Sequence, residues 1–391
     1  MQALTRRGVL IALGVGSLVA GCRDDTLTPT SPVAAPELAE AAVAAGPAFT
    51  QLSSGGGHTC GITASGRAYC WGLNSGGQLG DGTITDRSRP TPVAGQLEFR
   101  QVSAGGAVSC GVTTDSQVYC WGTDAAGGTR ATPQPVPVGL GVLTVEAGSH
   151  GGCALTDPAR RAYCWGDNDK GQLGDGTRTD RLLPVAVSGG RAFREITPGV
   201  FHTCGVTTSF RAYCWGSDND GQLGDGSKRQ DQLTPSAVAG GYAFTQIDAG
   251  ISNTCAVTTG HRAFCWGTGA IGDGSTLPRY TPRAVAGGLR FERVTSGNGH
   301  ACGESTTNQA YCWGQNDVGQ LGDGSSVARL RPVAVKGGHF FAQLTAGYTH
   351  TCGKTPQAVT YCWGSNRWGQ LGLGTVDFAV HSRPAPVVAA E

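Results

Sequence analysis

Residues 58–72 read HTCGITASGRAYCWG, and this stretch decides the fold. It has the pattern of two short strands, 58–63 and 67–71, joined by a tight loop that contains a glycine. Successive side chains of a strand point to opposite faces, so Tyr69 and Cys70 lie on different sides of the second strand. The stretch is therefore predicted to form a β-hairpin with one aromatic face and one cysteine face.

The hairpin recurs seven times along the chain, at intervals of 44 to 51 residues. Repetition at this period is typical of propellers, solenoids and arrays. No copy contains an amphipathic stretch with a period of 3.6 residues, which excludes helical repeats. The tryptophan that follows the second cysteine of each copy is Trp71, Trp121, Trp165, Trp215, Trp266, Trp313 and Trp363.

Each copy has room for one more strand on either side of the hairpin. In the first copy these strands are predicted at residues 49–53 and 91–94, and a glycine-rich excursion, 74–89, precedes the last one. Four strands make a propeller blade, and seven blades close into a ring without a free sheet edge. The sequence therefore predicts an all-β fold, a seven-bladed β-propeller with four antiparallel strands per blade, over residues 49–391.

The two cysteines of each copy are predicted to form a disulfide across the hairpin. Each bridge would stabilise the fold by at most roughly 2–3 kcal/mol in the chain-entropy model. Metal binding is the alternative, but the pairs lack the close spacing of zinc knuckles. The predicted pairs are Cys60–Cys70, Cys110–Cys120, Cys153–Cys164, Cys204–Cys214, Cys255–Cys265, Cys302–Cys312 and Cys352–Cys362.

The N-terminal segment is expected to direct export. Residues 1–22 combine a positive start, a short apolar stretch and small residues before Cys22, which resembles a bacterial lipoprotein signal. An ordinary signal peptide with a chance cysteine is the alternative. Residues 23–48 are rich in Pro, Ala, Thr and Ser and are predicted to be a flexible linker, with a candidate closing strand near 41–48. The protein is thus expected in the bacterial cell envelope, exported and lipid-anchored through Cys22, on the periplasmic or surface side.

Composition limits the functions that the chain can have. The 64 glycines and the 15% of charged residues are typical of many short strands joined by glycine turns. The formal net charge of +1 gives no overall field that would attract nucleic acid. We therefore expect no nucleic-acid partner.

The repeated motifs resemble the regulator of chromosome condensation repeat family. The resemblance lies in Ala-Gly-x-x-His-Thr-Cys, Ala-Tyr-Cys-Trp-Gly and Gly-Gln-Leu-Gly-Asp-Gly, and it covers residues 49–391. It implies a seven-bladed propeller, and guanine-nucleotide exchange on a small GTPase is an activity known in the family. The cysteines and the export signal depart from the nuclear type, so exchange is kept only as an alternative by family analogy. Function is expected in the loops, which differ from copy to copy.

One end of the ring is the predicted binding surface. In an antiparallel meander, the Gly-x-x-His loop and the long loop after Cys-Trp-Gly emerge at the same end. Apolar residues that most copies lack are typical interface anchors there, and the alternative is that they pack on neighbouring loops. The candidates are Phe201, Ile251, Tyr348 and Trp368. A protein is the expected partner, bound by a monomer.

Basic residues late in the long loops suggest a second function. Arg87, Arg181, Arg229 and Arg331 could form part of a positive ring that binds an envelope polysaccharide or another anionic polymer. The alternative is that nearby aspartates neutralise them, or that their stems cover each blade's Trp.

We find no motif that indicates catalysis, a cofactor or a metal site. His58, His202, His300 and His350 share one repeat position, which invites a metal hypothesis, but a structural hydrogen bond is the favoured interpretation. The chain is therefore predicted not to be an enzyme. A polysaccharide lyase or hydrolase remains an alternative, because propeller active sites assemble from distant blades.

Overall fold

A computed structural model of the protein describes residues 46–390, except Leu140, Lys228 and Ala270. In this part the chain forms seven sheets, and in each sheet four antiparallel strands pair in chain order. The first strands of successive sheets lie side by side, and β1 also contacts β25, which closes the ring. The predicted seven-bladed β-propeller is confirmed.

The first and second strands of each blade precede the hairpin loop. The first strands of blades 1 to 7 are β1 (Phe49–Ser54), β5 (Phe99–Ala104), β9 (Val142–Ala147), β13 (Phe193–Pro198), β17 (Phe244–Ala249), β21 (Phe291–Ser296) and β25 (Gln343–Ala346). The second strands are β2 (His58–Thr63), β6 (Val108–Thr113), β10 (Gly152–Thr156), β14 (His202–Thr207), β18 (Asn253–Thr258), β22 (His300–Ser305) and β26 (His350–Lys354).

The third and fourth strands flank the long loop. The third strands are β3 (Ala68–Gly72), β7 (Val118–Thr123), β11 (Ala162–Gly166), β15 (Ala212–Gly216), β19 (Ala263–Gly267), β23 (Ala310–Gly314) and β27 (Thr360–Gly364). The fourth strands are β4 (Arg87–Pro92), β8 (Thr129–Val136), β12 (Arg181–Ala186), β16 (Gln232–Ala237), β20 (Arg279–Ala284), β24 (Arg329–Ala334) and β28 (His381–Pro386).

The fourth strand of blade 1 begins earlier than the sequence predicts. It covers Arg87–Pro92 rather than residues 91–94. The reason is a bulged register in which Gly72 pairs with Arg87, while Cys70 pairs with Thr91. The long loop is correspondingly shorter.

The hairpin register agrees with the prediction in every blade. Cys60 lies opposite Cys70, Gly61 lies opposite Tyr69, and the first disulfide joins the two cysteines. A side chain at Gly61 would come within 2.7 Å of the Phe49 ring, so the small residue makes room for the innermost strand. The other six disulfides form as predicted.

The hydrophobic core lies between the blades. The cysteine face of blade 1 packs against Phe99 and Trp121 on the aromatic face of blade 2, and the other blades repeat this layer. Six of the hairpin tryptophans are less than 2% exposed, whereas Trp165 is 7% exposed. Burying large aromatic surfaces between consecutive sheets provides the driving force for closing the ring.

The C-terminal strand completes the ring. β28 is the fourth strand of blade 7, and beyond it the carbonyl of Val387 accepts a hydrogen bond from the Gly46 amide at 3.1 Å. Residues 46–48 are in no strand. The predicted signal peptide, the lipidation site at Cys22 and most of the linker lie outside the described residues. No helix in the part of the chain that the structure describes is long and apolar enough to cross a membrane.

Candidate functional site

One end of the ring, here called the loop face, carries the two variable loops of each blade. The loop between the first and second strands and the long loop between the third and fourth strands touch there, where the Leu73 amide donates to the Gly57 carbonyl at 2.9 Å. The opposite end, the hairpin face, carries the loops between the second and third strands. The sequence prediction that both variable loops share one end is confirmed.

A ring of glycines narrows the mouth of the central channel on the loop face. A Cβ at Gly55 would lie 2.2 Å from the carbonyl oxygen of Gly105, and one at Gly105 would lie 1.9 Å from that of Gly148. The equivalent glycines of blades 4 to 7 are packed in the same way, whereas a Cβ at Gly148 of blade 3 would lie 3.6 Å from the carbonyl oxygen of Gly199. Only glycine allows the loops to approach so closely.

Two of the predicted anchors line this mouth. Tyr348 of blade 7 leans over blades 1 and 2, where side chains at Gly56 and Gly106 would lie 3.1 and 2.9 Å from it. Burial raises the pKa of Tyr348 to about 12. Ile251 and its neighbour in the ring, Val200, line the mouth from blades 5 and 4.

The other two predicted anchors lie farther from the axis. Phe201 is 41% exposed and lies beside Val200 on blade 4. Trp368 covers Gly57 of blade 1, and the Arg367 guanidinium lies 4.8 Å from the centre of its ring. The four residues therefore occupy two regions of the loop face, one on blades 4 and 5 and one around blade 7.

Sequence reasoning missed the most exposed aromatic side chain of the loop face. Phe378, in the long loop of blade 7, is 84% exposed, and Val376 and Val380 beside it are 55% and 50% exposed. We call these three residues, with Arg367 and Trp368, the blade 7 patch; Arg367 also lies 5.7 Å from the Phe378 ring. A usable signal was present, since this loop is two residues longer than that of blade 1 and carries apolar residues at its tip.

Much of the predicted positive ring is neutralised by its own loops. Arg87 pairs with Asp81 at 2.9 Å, and Arg181 pairs with Asp175 at 2.9 Å. Partial burial opposes ionisation of Asp81, but hydrogen bonds from Thr83 and Arg87 lower its pKa overall. The aspartates of the Gly-Asp-Gly motifs play this role.

The remaining two basic candidates have different surroundings. Arg229 is exposed and has a φ of 57°, in the left-handed region. Arg331 is exposed, and its guanidinium lies over Gly274 of the preceding blade, where a Cβ would be 3.1 Å away. The four basic candidates are not brought together in one cluster.

The buried histidines join neighbouring blades. His58 Nε2 lies 2.8 Å from the Ser109 hydroxyl of blade 2, and that hydroxyl donates its proton to the Gln78 carbonyl at 2.9 Å. Since the hydroxyl proton is used, His58 must donate from Nε2. The same arrangement, here called the His–Thr–Gln lock, occurs at His202, His300 and His350.

Two observations support a structural role for these histidines. Burial lowers the pKa of His58, His202 and His350 to about 3 and that of His300 to about 4, so all four are neutral. Where the hydroxyl partner is lost, at Gly152 and Ala301, the histidine of the preceding blade is also replaced, by Val108 and Asn253. Within the described residues, no group of three or more His, Cys, Asp or Glu side chains could hold a metal ion.

The innermost strands line a central channel with a cavity volume of about 920 Å³. At each of the two channel-facing positions of the innermost strand, five of the seven blades have Gln, Ser or Thr. The Gln51 amide nitrogen donates to the Val102 carbonyl at 2.9 Å, and its oxygen accepts from the Val102 amide at 3.0 Å. Three further glutamines bridge to the next blade in the same way: Gln101, Gln246 and Gln343.

Blades 3 to 6 place charged residues at these bridging positions. Burial raises the pKa of Glu146 to about 7, that of Glu195 to about 8 and that of Asp248 to about 6, although Arg293 acts in the opposite direction. The carboxylates still act as bridges: Glu195, for example, accepts from the Ile247 amide of the next blade at 3.3 Å. The channel therefore holds carboxyl groups that gain and lose protons near neutral pH.

These channel residues carry a signal in the sequence, but not one that shows where they lie. Aligning the seven copies would have shown Glu146, Glu195, Asp248 and Arg293 at positions that are otherwise Gln, Ser or Thr. What could not be read from the sequence is that the first strand is the innermost one, so that these positions face the channel.

Comparison with family models supports the repeat assignment. Two models, both described as "Regulator of chromosome condensation (RCC1) repeat", match the chain. One matches residues 65–112, 161–206, 211–257 and 308–353, and the other matches residues 49–78, 99–127, 196–222 and 291–320. Together these segments span more than half of the sequence.

Individual relatives are more distant. The ultraviolet-B receptor UVR8 of Arabidopsis thaliana is 28% identical over 249 residues, 59% of this chain and 56% of that protein. The chain thus spans little more than half the length of this relative.

Two solved structures share the fold. Prp20p from Saccharomyces cerevisiae, described with its binding to Gsp1p and histones, matches with a TM-score of 0.74 and 19% identity over 83% of this chain and 87% of that chain. Human WBSCR16 matches with a TM-score of 0.72 and 20% identity over 78% of this chain and 87% of that chain. At these identities the likeness concerns the fold alone.

Proposed function

The chain belongs to the regulator of chromosome condensation repeat family, and on that premise we propose that it is a non-enzymatic scaffold that binds a protein partner through the loop face. The blade 7 patch is the proposed contact surface. The proposed location is the cell envelope, with attachment through Cys22.

The exposure of Phe378 carries this proposal. A side chain that is 84% exposed leaves its whole ring in water, between two half-exposed valines and an arginine that contacts two aromatic rings. Contiguous exposed apolar groups of this kind mark interaction surfaces, and aromatic residues and arginine contribute most of the binding energy in protein interfaces.

The disulfides support the location. One disulfide in each of seven blades indicates folding in an oxidising compartment, such as the periplasm or the cell surface. Gly46, the first described residue, lies at the hairpin end of blade 7, because its partner Val387 donates to the carbonyl of Thr360 at the start of β27. The described chain therefore begins at the end of the ring opposite the loop face.

A pull-down from native envelope extracts tests the proposed contact surface. The bait is the exported, oxidised protein, and the variant carries Val376→Ser, Phe378→Ser and Val380→Ser. The matched control is Leu182→Ser with Leu183→Ser, because both leucines are 64% exposed on the outer wall of blade 3.

We expect one protein species to be enriched by the wild type and by the control, and to be lost with the blade 7 variant. The melting temperature of the variant should stay close to that of the wild type, since the replaced side chains are solvent-exposed. Equal capture by both variants would overturn the assignment of the surface.

A second candidate function is a polysaccharide-acting enzyme, and the channel carboxyl groups are the observation that favours it. Glu146 and Glu195 have pKa values of about 7 and 8, in the range that suits general acid–base catalysis at neutral pH. It ranks second because both side chains occupy positions that bridge blades in the rest of the ring.

Envelope polysaccharides incubated with the wild type and with Glu146→Gln and Glu195→Gln variants test this candidate. New reducing ends or unsaturated sugars that appear with the wild type and disappear with either folded variant would support an enzyme. Product formation that survives both substitutions would exclude these carboxyl groups as its catalytic residues.

A further inference from the structure

The hairpin face carries a segregated positive charge that the overall composition conceals. The chain has a formal net charge of only +1. Nine arginines but only four carboxylates lie on the hairpin loops, on the linkers between blades and at the second positions of the innermost strands. The carboxylates are those of Glu98, Asp115, Asp157 and Glu292. The arginines are Arg67, Arg100, Arg160, Arg161, Arg191, Arg194, Arg211, Arg262 and Arg290.

These arginines are not neutralised as several of those in the long loops are. Among the described residues none of the nine forms an ion pair, and of the four carboxylates only Glu292 does, with His261 at 3.4 Å. On the loop face, by contrast, Arg87 and Arg181 are each held by an aspartate of their own loop. Within the described chain, the hairpin face therefore carries nine arginines whose charge is not offset by an ion pair.

Seven of the nine arginines are concentrated on one sector, from the blade 3 hairpin to the linker that enters blade 6. Aromatic rings hold several of them in place. Arg191 lies 4.3 Å from the Tyr213 ring centre and Arg194 lies 4.9 Å from the Phe210 ring centre. Phe210 itself is 37% exposed. Guanidinium groups stacked on rings stay extended at the surface, where they can reach an anionic layer.

A second exposed ring continues this surface toward blade 5. Tyr242 is 37% exposed, and its ring centre lies 4.4 Å from that of Phe264. Arg262 lies over the same Phe264 ring at 5.3 Å. Tyrosine and arginine side chains of this kind favour the boundary between lipid headgroups and water.

The place where the described chain begins favours a membrane as the binding partner of this surface. The Gly46 amide donates a hydrogen bond to the Val387 carbonyl at the hairpin end of blade 7, and Cys22 lies 24 positions earlier in the sequence. The described chain therefore enters the ring at the hairpin face. The cationic surface and the first described residue thus lie at the same end of the ring.

We propose that the hairpin face docks on anionic lipid headgroups, so that the propeller rests on the membrane with its loop face outward. The inference goes beyond the binding of a protein partner, and its choice of a membrane as the occupant rests on the proposed attachment through Cys22. Acidic proteins and anionic polysaccharides are the competing occupants, and the experiment distinguishes them.

Vesicle co-sedimentation of an unacylated protein tests the proposal. The full chain with Cys22→Ser is exported, so that the disulfides form. It is then mixed with vesicles of phosphatidylcholine alone or of phosphatidylcholine with about 30% phosphatidylglycerol, an anionic lipid. We expect binding only to the anionic vesicles, and weaker binding as the salt concentration rises.

The key variant replaces Arg161, Arg194 and Arg211 by glutamine. Each arginine near an anionic surface adds about 1 kcal/mol, or about fivefold in affinity, so we expect partitioning to fall by roughly 100-fold. The matched control replaces three exposed arginines that lie away from the hairpin face, Arg229 in a long loop and Arg331 and Arg383 in fourth strands, and should bind as the parent does.

Three outcomes would overturn the proposal: no binding to anionic vesicles, an equal loss in both triple variants, or binding to soluble anionic polysaccharide that the vesicles cannot displace. If the first triple variant misfolds, the same positions replaced by lysine keep the charge and should retain binding. The pull-down through the blade 7 patch needs no lipid, so failure here leaves that proposal standing.

Discussion

The seam that closes the ring, between blades 7 and 1, and the seam between blades 2 and 3 are built differently. At the closing seam, Gln343 bridges to Leu52 with two hydrogen bonds, and His350 forms a His–Thr–Gln lock with Thr59 and Gln370. The long loop of blade 7 also covers Trp71, so that a side chain at Gly372 would lie 2.9 Å from the indole nitrogen. This seam joins the two ends of the described chain.

The seam between blades 2 and 3 keeps the glutamine bridge from Gln101 to Val145 but lacks the other two features. Val108 and Gly152 stand where the lock would have its histidine and hydroxyl, and the long loop of blade 2 lacks Gly-Gln-Leu-Gly. A cluster of buried valines fills the seam instead, and Trp165 remains 7% exposed.

The difference shows that apolar packing can join two blades where the chain runs directly from one to the next. The closing seam has no such connection, since its partners lie about 290 positions apart in sequence. Closing so long a loop has an entropic cost, and specific contacts between the ends offset it. Four predictions test this comparison, in order of decreasing effect.

The largest effect is expected for the tryptophans of the two seams. Trp71→Ala should lower the free energy of unfolding by about 3–5 kcal/mol, because it empties a fully buried site under the covering loop. The loss for Trp165→Ala should be about 1 kcal/mol smaller than the loss for Trp71→Ala, since the Trp165 ring already contacts solvent. Denaturant unfolding of the oxidised proteins measures both, and equal losses would contradict the difference between the seams.

The lock can be tested with a nearly isosteric change. Thr59→Val leaves the His350 Nε2–H and the Gln370 carbonyl without a partner, at a cost of about 2–4 kcal/mol. At Thr203 there is no histidine, and the Gln172 carbonyl keeps a hydrogen bond from Trp215, so Thr203→Val should cost about 1 kcal/mol. Similar losses in the same unfolding assay would show that the lock does not stabilise the ring.

A glutamate at a bridging position should make one seam sensitive to pH. In Glu195→Gln, the side-chain amide would donate a hydrogen bond to the Ile247 carbonyl of the next blade, as the Gln246 amide donates to the Val294 carbonyl. This bond should raise the free energy of unfolding by about 1 kcal/mol. Because the folded-state pKa of Glu195 is raised to about 8, the contribution of this group to stability is greatest below its ordinary value of about 4.5 and is lost as the pH rises through 8.

The advantage of the glutamine should accordingly grow from pH 5 to pH 9 in denaturant titrations. The reverse change, Gln246→Glu, should create a similar loss at high pH in a neighbouring seam. An advantage that is independent of pH would mean that Glu195 is ionised throughout the range.

The smallest effect is expected on the outer wall. Leu182 is 64% exposed where the shortened loop of blade 2 fails to cover it, so Leu182→Ser should change the free energy of unfolding by no more than about 0.5 kcal/mol. Leu233, its counterpart in blade 4, packs against Gly171 of the preceding loop, and Leu233→Ser should cost about 1–2 kcal/mol. Equal losses of unfolding free energy in the two variants would show that the long loops do not shield the outer strands from solvent.

The local part of the fold could be derived from the sequence. The spacing of Cys60 and Cys70, the alternation around Tyr69 and the glycine turns are short-range features, and they predicted the hairpin register, the disulfides and the number of blades. They also predicted which loops share an end of the ring. Each of these inferences depends on residues a few positions apart, whose relative placement follows from strand geometry alone.

The rest was decided by contacts between blades. Only the packed ring shows that the first strand is innermost, so that Glu146 and Glu195 face the channel. Only the packed ring also shows that Arg87 forms an ion pair with Asp81, whereas within the described chain the nine arginines of the hairpin face form none. Alternation tells which side chains share a face of a strand, but not what lies opposite that face. In this protein the opposite side belongs to another blade, about 50 or 290 positions away, and only closure of the ring brings it into contact.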